Sequence, residues 1–231
     1  MTLKPVLSDM KSTHRFALAA GLVVASGVVS VLAAPDLPEQ MATHWNAAGV
    51  PDDTMSKPVA LALIPILTAA LLGMFAVIPR IDPLGENIAE FRPIYDWFVV
   101  GFTAFMAIVH GGIVAFNLGY EFDFTLLVLA AVAGLFYYVG VLLTHAEQNW
   151  FVGIRTPWTL SDERVWKRTH ALGGRLFKLT AVVSLVGLAF GDYAVYFLLV
   201  PALATAAVTV VYSYYLYDRL DDAGDPASPG A

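Results

Sequence analysis

The chain has 231 residues, of which 58% are hydrophobic and only 14% are charged, and its mean hydropathy is +0.68. About a quarter of the residues of a soluble domain are charged, so this composition excludes a water-soluble globular protein and predicts an integral membrane protein. The net charge of -6 argues against direct binding to nucleic acid, and the absence of cysteine excludes disulfides and thiolate metal sites.

Six apolar runs, each near the length of a membrane span, follow one another along the chain. They cover residues 16–34, 59–78, 97–116, 124–143, 176–190 and 193–215. Backbone groups in hydrocarbon must be hydrogen-bonded within their own segment, so each run is predicted to be a helix, and the first is predicted to be a retained helix rather than a signal peptide. The sequence thus predicts an all-α polytopic protein, with residues 1–231 forming a single membrane domain and residues 221–231 a disordered tail.

The basic residues predict the orientation of these helices. With the N-terminus inside, all 13 Lys and Arg residues except Lys57 fall on the cytoplasmic side. The positive-inside rule therefore predicts cytoplasmic N and C termini and a multi-pass protein of the plasma (inner) membrane. The outer side instead carries these acids: Asp36, Glu39, Asp52, Asp53, Glu121, Asp123 and Asp192.

The first outer loop, residues 35–58, contains a patterned segment. Its notable residues are His44, Trp45, Asn46 and Gly49. Gly49 begins a Gly-Val-Pro turn, and Asp52 and Asp53 follow it. One interpretation is a surface that meets an extracellular peptide, with the acids complementary to a cation and Trp45 as an anchor. The other is a loop folded over the helix ends, and the residues alone leave both open.

His110 lies inside the third apolar run. An ionisable residue in hydrocarbon is costly and is typical of a functional site. No Asp, Glu, Lys or Arg lies deep in another run, so we expect a neutral histidine that is hydrogen-bonded across helices, with a ligand role as the alternative.

The fourth loop and its helix cover residues 144–178, and residues 149–158 combine two tryptophans with one arginine. Pro157 disfavours a helical conformation at Thr156, which predicts a turn. Arg155 is predicted to be a fixed cation that stacks on an indole or bonds main-chain carbonyls. In the alternative, Trp150 and Trp158 are interfacial anchors and Arg155 reaches the lipid headgroups.

A basic amphipathic helix is predicted after Ser161. Its basic residues, which fall within about 100° of arc, are Arg164, Lys167, Arg168, Arg175 and Lys178. Attraction to anionic membrane lipids explains this face. Trp166, His170 and Phe177 lie on another side of this helix, which predicts that they are available to protein contacts. His145, Glu147 and His170 lack the His-Glu-x-x-His spacing, so no metal, cofactor or catalytic residue is predicted.

Three loops carry a family resemblance. The stretch NWFVGIRTPWTLSDERVWKRTHALGGRLF, from Asn149 to Phe177, resembles the signature loop of the SdpI family, whose namesake confers immunity to a secreted killing peptide. The first outer loop, MATHWNAAGVPDDTMSK, resembles the uncharacterised domain that commonly precedes that signature. The second loop, PRIDPLGENIAEFRPIY from Pro79 to Tyr95, is similar to the short cytoplasmic link of the longer members.

The resemblance implies protection against, or sensing of, a membrane-active peptide, with signalling through sequestration of a cytoplasmic repressor as an extension. The residues it points to, in binding or architectural roles, are Asn149, Gly153, Arg155, Thr156, Pro157, Trp158, Trp166 and His170, together with His44, Trp45, Asn46 and Gly49. The alternatives are a small transporter or channel, a structural membrane protein, and a membrane enzyme that uses His145, Glu147 and His170.

Overall fold

A computed structural model of the protein describes residues 10–46 and 49–222. The first half of the chain forms α1 (Ser12–Ala33), a 3-10 turn (Ala34–Asp36), β1 (Gln40–Trp45), β2 (Pro51–Ser56), α2 (Lys57–Ile81), α3 (Gly85–Glu90) and α4 (Arg92–Asn117). The second half forms α5 (Phe124–Leu143), α6 (Pro157–Ser161), α7 (Glu163–Gly187), a 3-10 segment (Leu188–Tyr193) and α8 (Ala194–Asp222).

The predicted all-α polytopic membrane fold is confirmed. Within residues 10–46 and 49–222, five segments are long and apolar enough to cross a membrane, and the last, Glu163–Leu220, is 58 residues long. It contains α7 and α8, which pack against each other after a reversal at Gly191, where φ is 55°. The described residues therefore hold six long helices. The predicted tail begins inside α8 at Asp221, and residues 223–231 lie outside the described residues.

The helices expose apolar side chains on their outer faces, as a protein surrounded by lipid does. Val31 and Leu32 of α1 are each 73% exposed, and Leu203 of α8 is 70% exposed. Water would not tolerate such a surface, whereas hydrocarbon does.

A two-stranded antiparallel sheet, not predicted from the sequence, folds the first outer loop into a hairpin. Met41 is opposite Met55, and Ala42 is opposite Thr54. The side chain of Asn117 pins the hairpin to α4, because its amide accepts from the Ala42 N–H at 2.8 Å and donates to the Ala42 carbonyl at 2.9 Å. We call this end of the bundle the hairpin end.

The opposite end of the bundle is formed by the second loop and by residues 144–162. From here on, residues 144–162 alone are called the signature loop. Two glycines bring α5 and α7 close together there. A Cβ on Gly140 would lie 2.7 Å from the Gly174 carbonyl oxygen, and a Cβ on Gly174 would meet the Gly140 carbonyl. Small residues at a helix interface permit such backbone approach in membranes. We call this the loop end.

Candidate functional site

Asn149 organises the first turn of the signature loop, and it is fully buried. Its amide nitrogen donates to the carbonyls of Glu147 and Val152, and its oxygen accepts from the N–H groups of Phe151 and Val152. Both donors and the acceptor oxygen are thus used within six residues. No other side chain of this size supplies the same set, so Asn149 has an architectural role.

Trp166 and His170, both on α7, hold the next part of the loop. Their rings stack with centroids 3.9 Å apart, and the Trp166 indole N–H donates to the Ala146 carbonyl at 2.7 Å. His170 Nε2 accepts from the Ile154 N–H at 2.9 Å, so its Nδ1 carries the proton that is donated to the Trp166 carbonyl. Both side chains are buried. The expectation that they are available to a partner is wrong, because their contacts are made within the chain.

Gly153 fits the space in front of His170. Its φ is 127°, which side chains rarely adopt, and a Cβ there would fall against His170 Nε2. The loop can therefore pass over the imidazole only with glycine at this position.

The predicted turn before Pro157 is confirmed, and it opens α6. Thr156 and Thr159 form a capping box, and the Thr159 hydroxyl donates to the Ile154 carbonyl at 2.7 Å. The Thr156 hydroxyl donates to Ser213 Oγ at 3.1 Å, and Trp158 packs edge-on to Tyr214 with centroids 5.1 Å apart. These contacts join the signature loop to α8.

The second loop meets the signature loop through residues that the sequence analysis did not single out. Asp82 is buried, and its carboxylate accepts from the N–H groups of Leu84 at 2.7 Å and Trp150 at 2.9 Å. Asn87 donates to the Gln148 carbonyl at 2.6 Å. In the sequence, the only sign of this contact was the concentration of polar residues in a short link between two spans.

A buried ion cluster, also missed, ties α1 to α4. Asp96 has no exposed surface; its carboxylate lies 2.7 Å from Nε of Arg92 and 3.6 Å from Nη1 of Arg15, which is itself buried. Arg92 also donates to Ser12 Oγ at 3.1 Å. Removing one member of such a cluster leaves an uncompensated buried charge. The i, i+4 spacing of Arg92 and Asp96 was the signal in the sequence.

Arg155 lies on the surface of the turn. Its guanidinium donates one hydrogen bond to the Trp150 carbonyl, at 2.6 Å. The prediction that Arg155 bonds the main chain is confirmed for the Trp150 carbonyl. Asp82 and Asn149 hold the backbones of Trp150 and Phe151. These two residues remain 50% and 41% exposed.

The basic residues lie on α7, and the N-terminal cap of this helix is Asp162. Its carboxylate accepts from the N–H groups of Arg164 and Val165, and Arg164 also bonds it through the side chain. These bonds, led by the one from the Arg164 guanidinium, hold the pKa of Asp162 below its ordinary value. Lys167 lies 2.6 Å from Glu163 and 3.7 Å from Glu147. Contact with anionic lipids stays a prediction for all five basic residues of this face, which are Arg164, Lys167, Arg168, Arg175 and Lys178.

The membrane-enzyme alternative would need His145, Glu147 and His170 to converge on a metal ion, and in the described residues they do not. His170 uses both ring nitrogens for the loop, and His145 Nδ1 lies 2.9 Å from the Val141 carbonyl. Across residues 10–46 and 49–222, no three His, Asp or Glu side chains converge as a metal site would require.

At the hairpin end, Trp45 fastens the sheet to the helices. Its indole stacks on Phe124 with centroids 3.8 Å apart and meets Phe116 edge-on at 5.1 Å. Asn46 closes the turn by accepting from the Val50 N–H, and Gly49 has a φ of 75°. His44 is exposed and bonds Asp52. The loop is thus folded over the helix ends, and its role as a peptide-binding surface stays a prediction.

His110 joins three helices below the hairpin. Its Nε2 lies 2.8 Å from Ser30 Oγ on α1, and the same hydroxyl lies 2.9 Å from the Leu61 carbonyl on α2. Both bonds form together when His110 donates to Ser30 and Ser30 donates to Leu61. The predicted hydrogen bond across helices is confirmed.

Comparison with known proteins agrees with the resemblance. The SdpI/YfhL protein family matches residues 145–213, and a domain of unknown function, DUF1648, matches residues 21–69. The immunity protein SdpI of Bacillus subtilis (strain 168) is 24% identical over 202 residues, which are 87% of this chain and 94% of that protein. No solved structure matches the chain. The predicted resemblance to the SdpI family is confirmed.

Proposed function

We propose that this SdpI-like membrane protein protects its cell against a membrane-active peptide. The observation that carries the proposal is the similarity to an immunity protein over 87% of the chain. The matched domain and family cover residues 21–69, which include the hairpin, and residues 145–213, which include nearly all of the signature loop. The protein would act in the plasma membrane, with the hairpin end outside and the loop end in the cytoplasm. The distribution of Lys and Arg supports that orientation.

The interior of the bundle supports this proposal over a transporter or channel. A conducting path needs polar groups that are free to contact a solute along the bundle. Among the described residues, several buried hydroxyls in the helices instead bond carbonyls one turn earlier in their own helix. Thr68 donates to Ile64, Thr103 to Val99 and Thr209 to Thr205.

A survival assay tests the proposal. Cells of the source organism that lack this gene would be exposed to culture medium from the parent strain, with the chain restored from a plasmid or with an empty plasmid. We expect the chain to restore survival and to prevent loss of membrane potential. Equal killing of both strains, at confirmed abundance of the protein in the membrane, would contradict protection.

We also propose that the loop end holds a cytoplasmic repressor when the outer side is occupied. The rigid turn that exposes Trp150, Phe151 and Arg155 supports this extension, because aromatic and arginine side chains dominate protein interfaces. A crosslinker placed at Trp150 should capture a DNA-binding protein only in cells treated with the peptide. Capture that is independent of treatment, or none, would contradict this extension and leave protection intact.

A further inference from the structure

A groove of about 460 Å³ opens at the hairpin end between β1, the first turns of α5 and the start of α8. Phe124, Val128 and Leu129 of α5 form its floor, and Val195 of α8 forms the opposite wall. His44 and Trp45 line the remaining side. We call it the hairpin groove.

The shape of the hairpin groove is set before any ligand arrives. Trp45 is held by its stack on Phe124 and its edge contact with Phe116. The hairpin behind it is pinned by both bonds between Asn117 and Ala42. A rigid aromatic wall costs little conformational entropy on binding, which favours its use as an anchor.

The surroundings of the hairpin groove are strongly acidic. In the described residues of this end, Lys57 is the one Lys or Arg, and it is paired with Glu39 at 2.8 Å. The acids here are Asp36, Glu39, Asp52, Asp53, Glu121, Asp123 and Asp192. A phospholipid phosphate would be repelled at this rim, whereas a basic side chain would be attracted.

We propose that the hairpin groove binds the apolar face of a cationic amphipathic peptide whose basic residues meet the acidic rim. The inference rests on the proposed function, since it specifies the chemistry of the peptide against which the protein protects. Apolar side chains would enter between Val128 and Val195, and Lys or Arg side chains would lie toward Asp52, Asp53 and Asp192.

The probe is a fluorescent 18-residue peptide of Leu and Lys with helical amphipathic spacing, and its control is the same peptide with Glu for Lys. The full chain is held in nanodiscs of zwitterionic phosphatidylcholine, and binding is read by anisotropy after subtraction of empty nanodiscs. We expect saturable binding of the Lys peptide that weakens with salt, and none of the Glu peptide.

Two sets of variants locate the binding. Val195→Trp fills the hairpin groove and should weaken binding by at least about tenfold, the effect of blocking a central contact. Val211 lies on the same helix and is 66% exposed, so Val211→Trp should bind the peptide like the unmutated protein. Asp52→Asn, Asp53→Asn and Asp192→Asn combined should weaken binding by roughly tenfold at low salt, whereas Glu86→Gln, Glu90→Gln and Asp218→Asn at the loop end should not.

Several outcomes would overturn the inference: unchanged binding by Val195→Trp, equal binding of the Glu peptide, or no binding beyond empty nanodiscs. A co-purifying phospholipid, seen by native mass spectrometry in the parent and lost in Val195→Trp, would identify lipid as the occupant instead. The survival assay separates the two proposals. Full protection by Val195→Trp would reject the hairpin groove as the peptide site and leave the protective function standing. A lack of protection by the unmutated protein would reject the proposed function. Binding in nanodiscs would then still decide whether the groove takes a cationic peptide.

Discussion

At the scale of single residues, the signature loop depends on side chains whose hydrogen bonds are nearly all made inside the chain. Asn149 satisfies its amide within its own turn, and His170 spends both ring nitrogens on backbone groups. A loop rich in aromatic and polar residues can suggest a binding site, yet the hydrogen bonds of these side chains are those of a folded turn. The surface it presents is made by its neighbours Trp150, Phe151 and Arg155.

Gly153→Ala should destabilise the loop by about 2–4 kcal/mol, because it combines a positive φ with a clash against His170. Thermal unfolding in detergent, together with abundance in the membrane, measures the effect. Gly101→Ala is the matched control, since a Cβ at Gly101 meets nothing within 4 Å. Equal stability of the two variants would show that the loop moves away from His170 at little cost.

Arg155→Gln should reduce protection while the protein still accumulates, and Arg155→Lys should retain most of it. The reason is that the guanidinium makes one hydrogen bond, worth about 1 kcal/mol, to a carbonyl that an ammonium can also reach. Survival normalised to abundance is the measurement, with Arg168→Gln as the control. A complete loss in Arg155→Lys would mean that a partner recognises the guanidinium itself.

His110→Ala should lower the stability of the bundle by about 1 kcal/mol, the scale of a hydrogen bond between helices in lipid, and should leave protection largely intact. Ser30 keeps its bond to Leu61 in the variant. Unfolding in detergent and the survival assay check the two halves of this prediction. Lost protection at normal abundance would favour the transporter alternative.

At the scale of elements, two loops that are far apart in sequence form one structure at the loop end. Asp82 and Asn87 of the second loop bond the backbone of Trp150 and Gln148, and Trp166 packs in the same core as Ile88 and Phe91. The close contact of α5 and α7 supports this structure from beneath. Trp166 and His170 of α7 also bond the loop backbone at Ala146 and Ile154, so α7 is part of the same structure.

Gly140→Val should destabilise the protein by at least about 2 kcal/mol, because its side chain would collide with the Gly174 carbonyl and the Lys178 side chain. A Cβ at Gly134 on the same helix meets nothing within 4 Å, so Gly134→Val should be tolerated. Midpoints of thermal unfolding in one detergent compare the two. If Gly134→Val were equally harmful, β-branching in α5 would be the cause, rather than the contact with α7.

At the scale of the whole molecule, the two ends differ in charge, and the helices between them are apolar. This asymmetry supports one orientation, and because the chain contains no cysteine, a single introduced cysteine is a unique label.

Asp53→Cys should react with a membrane-impermeant maleimide in intact cells, whereas Glu86→Cys and Ser161→Cys should react only after the cells are opened. Ser161 is preferable to Asp162 because Asp162 caps α7. Labelling yield with and without lysis is the measurement. Reaction of Ser161→Cys in intact cells would contradict the predicted topology.

The sequence by itself determined the membrane class, the long helices, the resemblance to the SdpI family and the turn at Thr156 and Pro157, because hydropathy and proline chemistry act locally. Tertiary structure decided that Trp166 and His170 face inward, since helical spacing shows which residues share a side but not what covers that side. It also decided the pairing of Asp82 with Trp150, the ion cluster at Asp96 and the hairpin groove. These join segments that are distant in sequence, so no local pattern encodes their contact, and only the packing of the helices brings them together.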